Sequence, residues 1–373
     1  MMKIMKNKGI FLIWILFLTI LTISAQSNAE DTIKTYKVEK ERFDQVNSII
    51  ADLRYMDLNI KSSKDQYAYL SYKLHCKNEK NPFTYNVKNG VLNLKEGKWK
   101  GISWKSYTGG KKKFKKLMEY SKNNITLYLP KDNILKSSTV KMIDGNLTIA
   151  SLQSHSIDLN FDYGDILLND SSILGTLNIK AGDGDIYLKN AKIIENATIT
   201  TNYGDITASN LQAEQGIEIK TNDGDTKLKN IKAAKNVAIT TTYGDITALN
   251  FETKKDIKMK TRDGNIRINN IKASQAITIN SYYGDITCIK LSTPRDIKIK
   301  TNDGNVKFQM KEKQLKQRKI IMDTTDGEMS IPSYLSNDNK KTVLGDGYHY
   351  EKEIDSKKSL LEISTHYGNI SLS

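Results

Sequence analysis

The chain has 373 residues, 57 Lys+Arg against 42 Asp+Glu, and a formal charge of +15. With 38% hydrophobic residues and a mean hydropathy of −0.51 it is not a polytopic membrane protein. Two cysteines exclude a disulfide scaffold, and four scattered histidines argue against a His-rich metal centre.

Lys3, Lys6 and Lys8 precede an apolar run from Ile10 to Leu18, and small residues follow. This pattern predicts a secretory signal peptide over 1–29, cut after Ala25 or Ala29. The expected mature protein is exported (periplasmic, cell-surface or extracellular) and carries no integral membrane anchor. Residues 30–140 alternate apolar and polar positions irregularly, as in Ser48–Ser63, Asp65–Leu74 and Asn123–Asp132. Such alternation predicts strands with one buried face, here forming an irregular β cap. A Lys-rich stretch from Lys95 to Lys122, holding Trp99, Trp104 and Tyr107, is expected to be a loop or hairpin.

From residue 141 to 373 the chain repeats. Glycine motifs fall at Gly145, Gly164, Gly184, Gly204, Gly224, Gly244, Gly264, Gly284, Gly304, Gly327 and Gly368. The spacing is 20 residues between Gly164 and Gly304, with 23 and then 41 residues at the end. In each unit a period-2 strand such as Ile217–Lys220 leads to a turn at Asn222-Asp223-Gly224, and a second strand follows. A further corner is expected about twelve residues past the glycine, near Gly216, Asn236 and Asp256. Short strands and corners at a fixed interval, without helix-period stretches, predict an all-β β-solenoid with roughly 20-residue coils. Loop inserts are expected near 311–319, as a bulge or a single helical turn, and near 337–358. The 41-residue gap fits two units whose middle glycine has drifted. Cys288 occupies the place of Ala208 and Ala248 and is expected to be a buried free thiol.

A finer alternation overlies the repeat. The residue before the glycine switches between Asp (144, 183, 223, 263, 303) and Tyr (163, 203, 243, 283). Four before the glycine, Lys180, Lys220, Lys260 and Lys300 alternate with Asn160, Thr200, Thr240 and Asn280. Identical charges one coil apart would repel, and interleaving neutral residues doubles their separation.

The ordered set of SIIADLRYMDLNIKSS, NGVLNL, a variable Lys-rich loop, ITLYLPKD and serial GDI or GNI turns resembles the bacterial putative-adhesin β-strand-repeat domain family. The resemblance covers nearly all of the expected mature chain. It implies an exported or surface-facing β-solenoid linked to the cell envelope, and it brings no catalytic motif.

Three constellations compete for chemistry. Asp165, Asp185, Asp205, Asp225, Asp245 and Asp285 follow the glycines and suggest a calcium column. Asn265, Asn305 and Asn369 stand at equivalent turns, which favours instead an Asp that caps its own turn. No metal or cofactor is therefore expected. Tyr163, Tyr203, Tyr243 and Tyr283 form the candidate ligand-binding column, with turn-covering packing as the alternative. Catalysis needs a distinct pair of groups, whereas carboxylates recur in every unit, so no catalytic residue is assigned.

The reading is a non-enzymatic exported structural or adhesion-type binding module of the cell envelope. Its expected partner is envelope polysaccharide or another surface macromolecule, not nucleic acid. The alternatives are a carbohydrate-active enzyme on the same scaffold and an envelope-stress-linked sensing protein.

Overall fold

The computed structural model describes residues 33–78, 80–99, 123–336, 341–352 and 359–373. The signal-peptide segment and most of the Lys-rich loop, with Trp104 and Tyr107, lie outside the described residues. The fold is a β-solenoid made of two long sheets, one of 20 strands and one of 16.

One coil shows why. Ile217–Asp223 points Ile217, Ile219 and Thr221 inward and Glu218 and Lys220 outward. The chain bends at Gly224, and Thr226–Ala233 then buries Thr226, Leu228, Ile231 and Ala233. Within that second stretch Asn230 takes φ 56°, a left-handed bend that lets both flanking segments face the core. Each coil pairs in parallel with the next at identical positions: Ile219 lies on Ile199 and Ile239. Alternation along the strand and identity across strands together build continuous apolar ladders. Cys288 sits in one of these ladders, fully buried and free, and burial pushes its thiol pKa far up.

The glycine corners stack on one another. A Cβ at Gly224, where φ is +149°, would lie 2.1 Å from the carbonyl oxygen of Gly204. Backbone conformation and the close approach of the neighbouring coil both demand glycine there.

Stacking order departs from chain order at both ends. Ser48–Leu53 pairs with Val91–Glu96 on one side and Ser137–Asp144 on the other, so the first coil is threaded between two later ones. At the opposite end Leu360–Tyr367 lies between Ile297–Lys300 and Lys319–Asp326. The 41-residue gap is thus not two units in series. Nor is 337–358 simply a loop insert, because Lys341–Leu344 and Gly347–Lys352 form an antiparallel hairpin laid on Lys319–Asp326. Residues 311–319 include the helical turn Glu312–Leu315, whose Leu315 is buried.

The N-terminal end is closed in the same way. Phe83–Lys88, Ala68–Cys76 and Lys34–Phe43 add antiparallel strands over the open edge. The residues read as a cap therefore also supply coils of the solenoid. Antiparallel strands end the parallel ladders and become the outer edge strands, Lys34–Phe43 with its many exposed charges among them.

Candidate functional site

The corner ahead of each glycine carries the tyrosine column. Tyr163, Tyr203 and Tyr243 end the seven-residue strands Ile157–Tyr163, Ala197–Tyr203 and Val237–Tyr243. Tyr163 pairs in register with Asp144 and Asp183, and Tyr203 with Asp183 and Asp223. Bridges continue the ladder through Tyr243, Asp263, Tyr283, Asp303 and Tyr367. The five rings are 44–61% exposed, so they stand out from the rod.

The threaded C-terminal coil completes the alternation. In chain order Asp303, Asp326 and Tyr367 break it. In space Tyr367 lies between Asp303 and Asp326, so no two carboxylates are neighbours. In the column four residues before the glycine, Ser364 lies between Lys300 and Asp323. Threading the last coil inward thus keeps the corner carboxylates apart.

The acidic residues after the glycines form a hydrogen-bond ladder. Each carboxylate or amide oxygen accepts the backbone N–H of the equivalent residue one coil on, so Asp165 Oδ1 takes the Asp185 N–H at 2.9 Å. The series runs from Asp57 through Asn146 to Asn369 and the Glu328 N–H, at 2.7–2.9 Å. The expected cap of each residue's own turn is corrected here: the side chain caps the next coil. Asn substitutes for Asp because one acceptor oxygen suffices.

The second carboxylate oxygen often meets a cation. Lys227 reaches Asp205 and Asp225 at 3.1 and 3.2 Å, and Arg267 reaches Asp245. Burial raises the Asp245 pKa, but the Asn265 N–H and the Arg267 guanidinium outweigh it and hold the carboxyl below its ordinary value. Among the described residues no three His, Cys, Asp or Glu side chains are grouped to hold a metal.

Two features escaped sequence reading. The first is an amide ladder at the left-handed bend, where Asn190, Asn210, Asn230, Asn250 and Asn270 each donate Nδ2–H to the previous coil's Oδ1 at 2.7–3.0 Å. Its signal was Asn recurring six residues past five successive glycines, from Asn190 to Asn270. The second is the position two before the glycine. It holds Asp162, Gly182, Asn202, Asn222 and Thr242, and then turns bulky at Arg262, Tyr282 and His366, with Asn302 between the last two. Tyr282 packs edge-on against Tyr283 with centroids 4.6 Å apart, and His366 does the same with Tyr367 at 4.2 Å.

A family model described as Toastrack DUF4097 matches residues 46–233 and again 210–373. Two solved structures are similar. One is a putative adhesin from Bacteroides fragilis NCTC 9343, 17% identical over 74% of this chain and 97% of that one, with a TM-score of 0.32. The other is a putative cell adhesion protein from Clostridium sporogenes ATCC 15579, 11% identical over 91% and 99%, with a TM-score of 0.18. No curated protein matches the chain significantly.

Proposed function

The chain belongs to the Toastrack DUF4097 family, and on that scaffold we propose that it is an exported, non-catalytic binding module of the cell envelope. Its tyrosine edge holds an extended surface polymer, a polysaccharide being the best chemical match. One observation carries this reading: Tyr163, Tyr203, Tyr243, Tyr283 and Tyr367 stand half exposed at every second coil of one ladder. Apolar ring faces repeated about 10 Å apart along a rigid rod suit a ligand that is itself linear and repetitive.

Support for a non-catalytic role comes from the carboxylates. Glycoside hydrolysis needs two that differ in environment and flank one bond. Here they recur coil after coil, engaged with the next coil's backbone. Export rests on the N-terminal charge and hydropathy pattern. Among the described residues no helix is long and apolar enough to cross a membrane.

The test is an envelope-polymer and glycan array probed with residues 30–373, run beside a reducing-end assay. The expected result is saturable binding, no release of reducing ends, and loss of binding in the Tyr203→Ala/Tyr243→Ala double variant. Turnover of any polymer, or full binding by the double variant, would overturn the reading.

A further inference from the structure

The outward face of the 16-stranded sheet changes character along the rod. Six residues before each glycine from Gly164 to Gly304 it carries Asp158, Asn178, Thr198, Glu218 and Ala238, and then Lys258, Thr278 and Lys298. Lys220 forms an ion pair with Glu218 on its own strand. Two coils on, the residue equivalent to Glu218 is Lys258, so Lys260 lacks that partner. Elsewhere Lys272 reaches Glu252 and Lys298 reaches Glu362, at 3.2 and 3.0 Å. Lys260, Arg262 and Lys300 form no ion pair among the described residues.

These three cations line one open cleft of about 580 Å³. Its other lining residues include Asn280, Tyr282 and Tyr283. The regular strands end early here, at Lys260, Asn280 and Lys300, where earlier coils continue to the tyrosine corner. Beyond that point single bridges at Asp263, Tyr283 and Asp303 keep the register, with the Asp263 N–H donating to Thr242 and the Tyr283 N–H to Arg262. The interruption falls at Arg262, Tyr282 and Asn302, the first two of them bulky. No Asp or Glu lines the cleft, and Asp263 and Asp303 stand in the corner ladder on either side of Tyr283.

We propose that this cleft is the anion-selective subsite of the binding module, and that it takes a linear polymer of acidic sugars. Lys260 and Lys300 lie two coils apart, about 10 Å, a spacing comparable to a disaccharide repeat. They meet the negative groups, Arg262 offers its planar donor fork, and the Tyr282–Tyr283 pair offers an aromatic surface for a sugar face. Asn280, between the two lysines in the same register, supplies amide donors and an acceptor for hydroxyls. Exposed charge pairs contribute little singly, so affinity depends on several contacts along the polymer and falls with salt.

This inference rests on the binding-module reading, and its test separates the two. Calorimetry on residues 30–373 would use polygalacturonate as the acidic polymer, dextran as the neutral one and oligothymidylate as a phosphodiester polyanion. Polygalacturonate is expected to bind best, and Lys260→Gln/Lys300→Gln is expected to weaken it about tenfold or more. Lys220→Gln, in the same column but outside the cleft, should change affinity by less than about twofold. Thermal melts confirm folding, since all three lysines are exposed. If the double variant binds polygalacturonate like the parent, or Lys220→Gln loses as much, the cleft assignment falls while polymer binding stands. Tighter binding of oligothymidylate overturns the sugar assignment. Binding to none of the three, or to any array polymer, sinks both readings.

Discussion

The middle of the rod and its C-terminal end use the same coil but are threaded differently. From Ile157 to Tyr243 each coil stacks on its sequence neighbour, and position in the chain equals position along the axis. At the C-terminal end the last coil, Leu360–Leu372, is seated inside the stack, and the earlier Lys319–Ser330 coil lies outside it under an antiparallel hairpin. The lesson is that the Tyr/Asp alternation is a rule of spatial adjacency. Sequence order obeys it only where the two orders coincide. Threading also places the chain's final strands between two partners, so that the terminus is paired on both edges.

The largest effect should come from charging the inner ladder in both regions. Ile219 and Ile363 occupy equivalent inward positions, each about 1% exposed or less. Ile219→Asp and Ile363→Asp should each cost several kcal/mol, because an unpaired carboxylate enters an apolar column. Chemical denaturation checks this. A terminal coil that merely frayed would lose far less at Ile363, and the threaded stacking would then be wrong.

Glycines sharpen the contrast between stack and cap. Gly224→Ala meets both a left-handed φ and the Gly204 carbonyl oxygen at 2.1 Å, and should lose about 3 kcal/mol or more. Gly345 in the C-terminal hairpin has φ +64° with no atom within 4 Å of an added Cβ. Its alanine variant should lose only about 1 kcal/mol, the cost of a left-handed non-glycine residue. Similar losses in thermal melts would mean that the corner stack is not close-packed.

A smaller effect is expected in the capping ladder. Asp225→Ala leaves the Asp245 N–H without its 2.9 Å acceptor and should cost about 1 kcal/mol. Asp225→Asn keeps an acceptor and should cost less, although it gives up the Lys227 ion pair. Equal losses would make the ion pair, and not the cap, the stabilising contact.

Acid titration probes the same ladder. The Asp245 pKa is lower folded than its ordinary value of 3.8. The unfolded chain therefore takes up its proton first as pH falls. The stability this group contributes is complete above the ordinary carboxylate pKa and is lost as pH drops through the folded value. Asp245→Asn should flatten that part of the stability–pH curve, and an unchanged curve would remove the Arg267 and Asn265 contacts as its cause. The smallest effect is a null one. The ladder's oxygens are engaged with backbone N–H groups, so EDTA should leave the melting temperature unchanged. A drop reversed by calcium would make the column a metal site.

Much of this was legible in the residues. The period of 20, the inward Ile and Leu positions, the glycine corner and the buried Cys288 all follow from patterns confined to one coil or repeated between neighbours. The tyrosine column could be read because the alternation is strict. The Asp ladder was half legible: residue type pointed to capping, but whether an Asp reaches its own turn or the next coil depends on the stacking distance. The basic cleft was harder still. Lys260 and Lys300 look like every other lysine of their column, and only the loss of Glu218's equivalent at Lys258 and the bulk of Arg262 and Tyr282 distinguish that part of the rod.

By itself the sequence determined the coil. Alternation and the corner glycine act over a few residues, where sterics and hydrophobic periodicity leave one solution. Only the tertiary structure decided which coil lies on which at the ends. Every coil presents nearly the same parallel edge, so local pattern cannot choose among stacking partners. The choice falls to the closure of open edges by antiparallel strands, the spacing of like charges, and the pairing of the terminal strands on both sides, all of which are properties of the assembled stack.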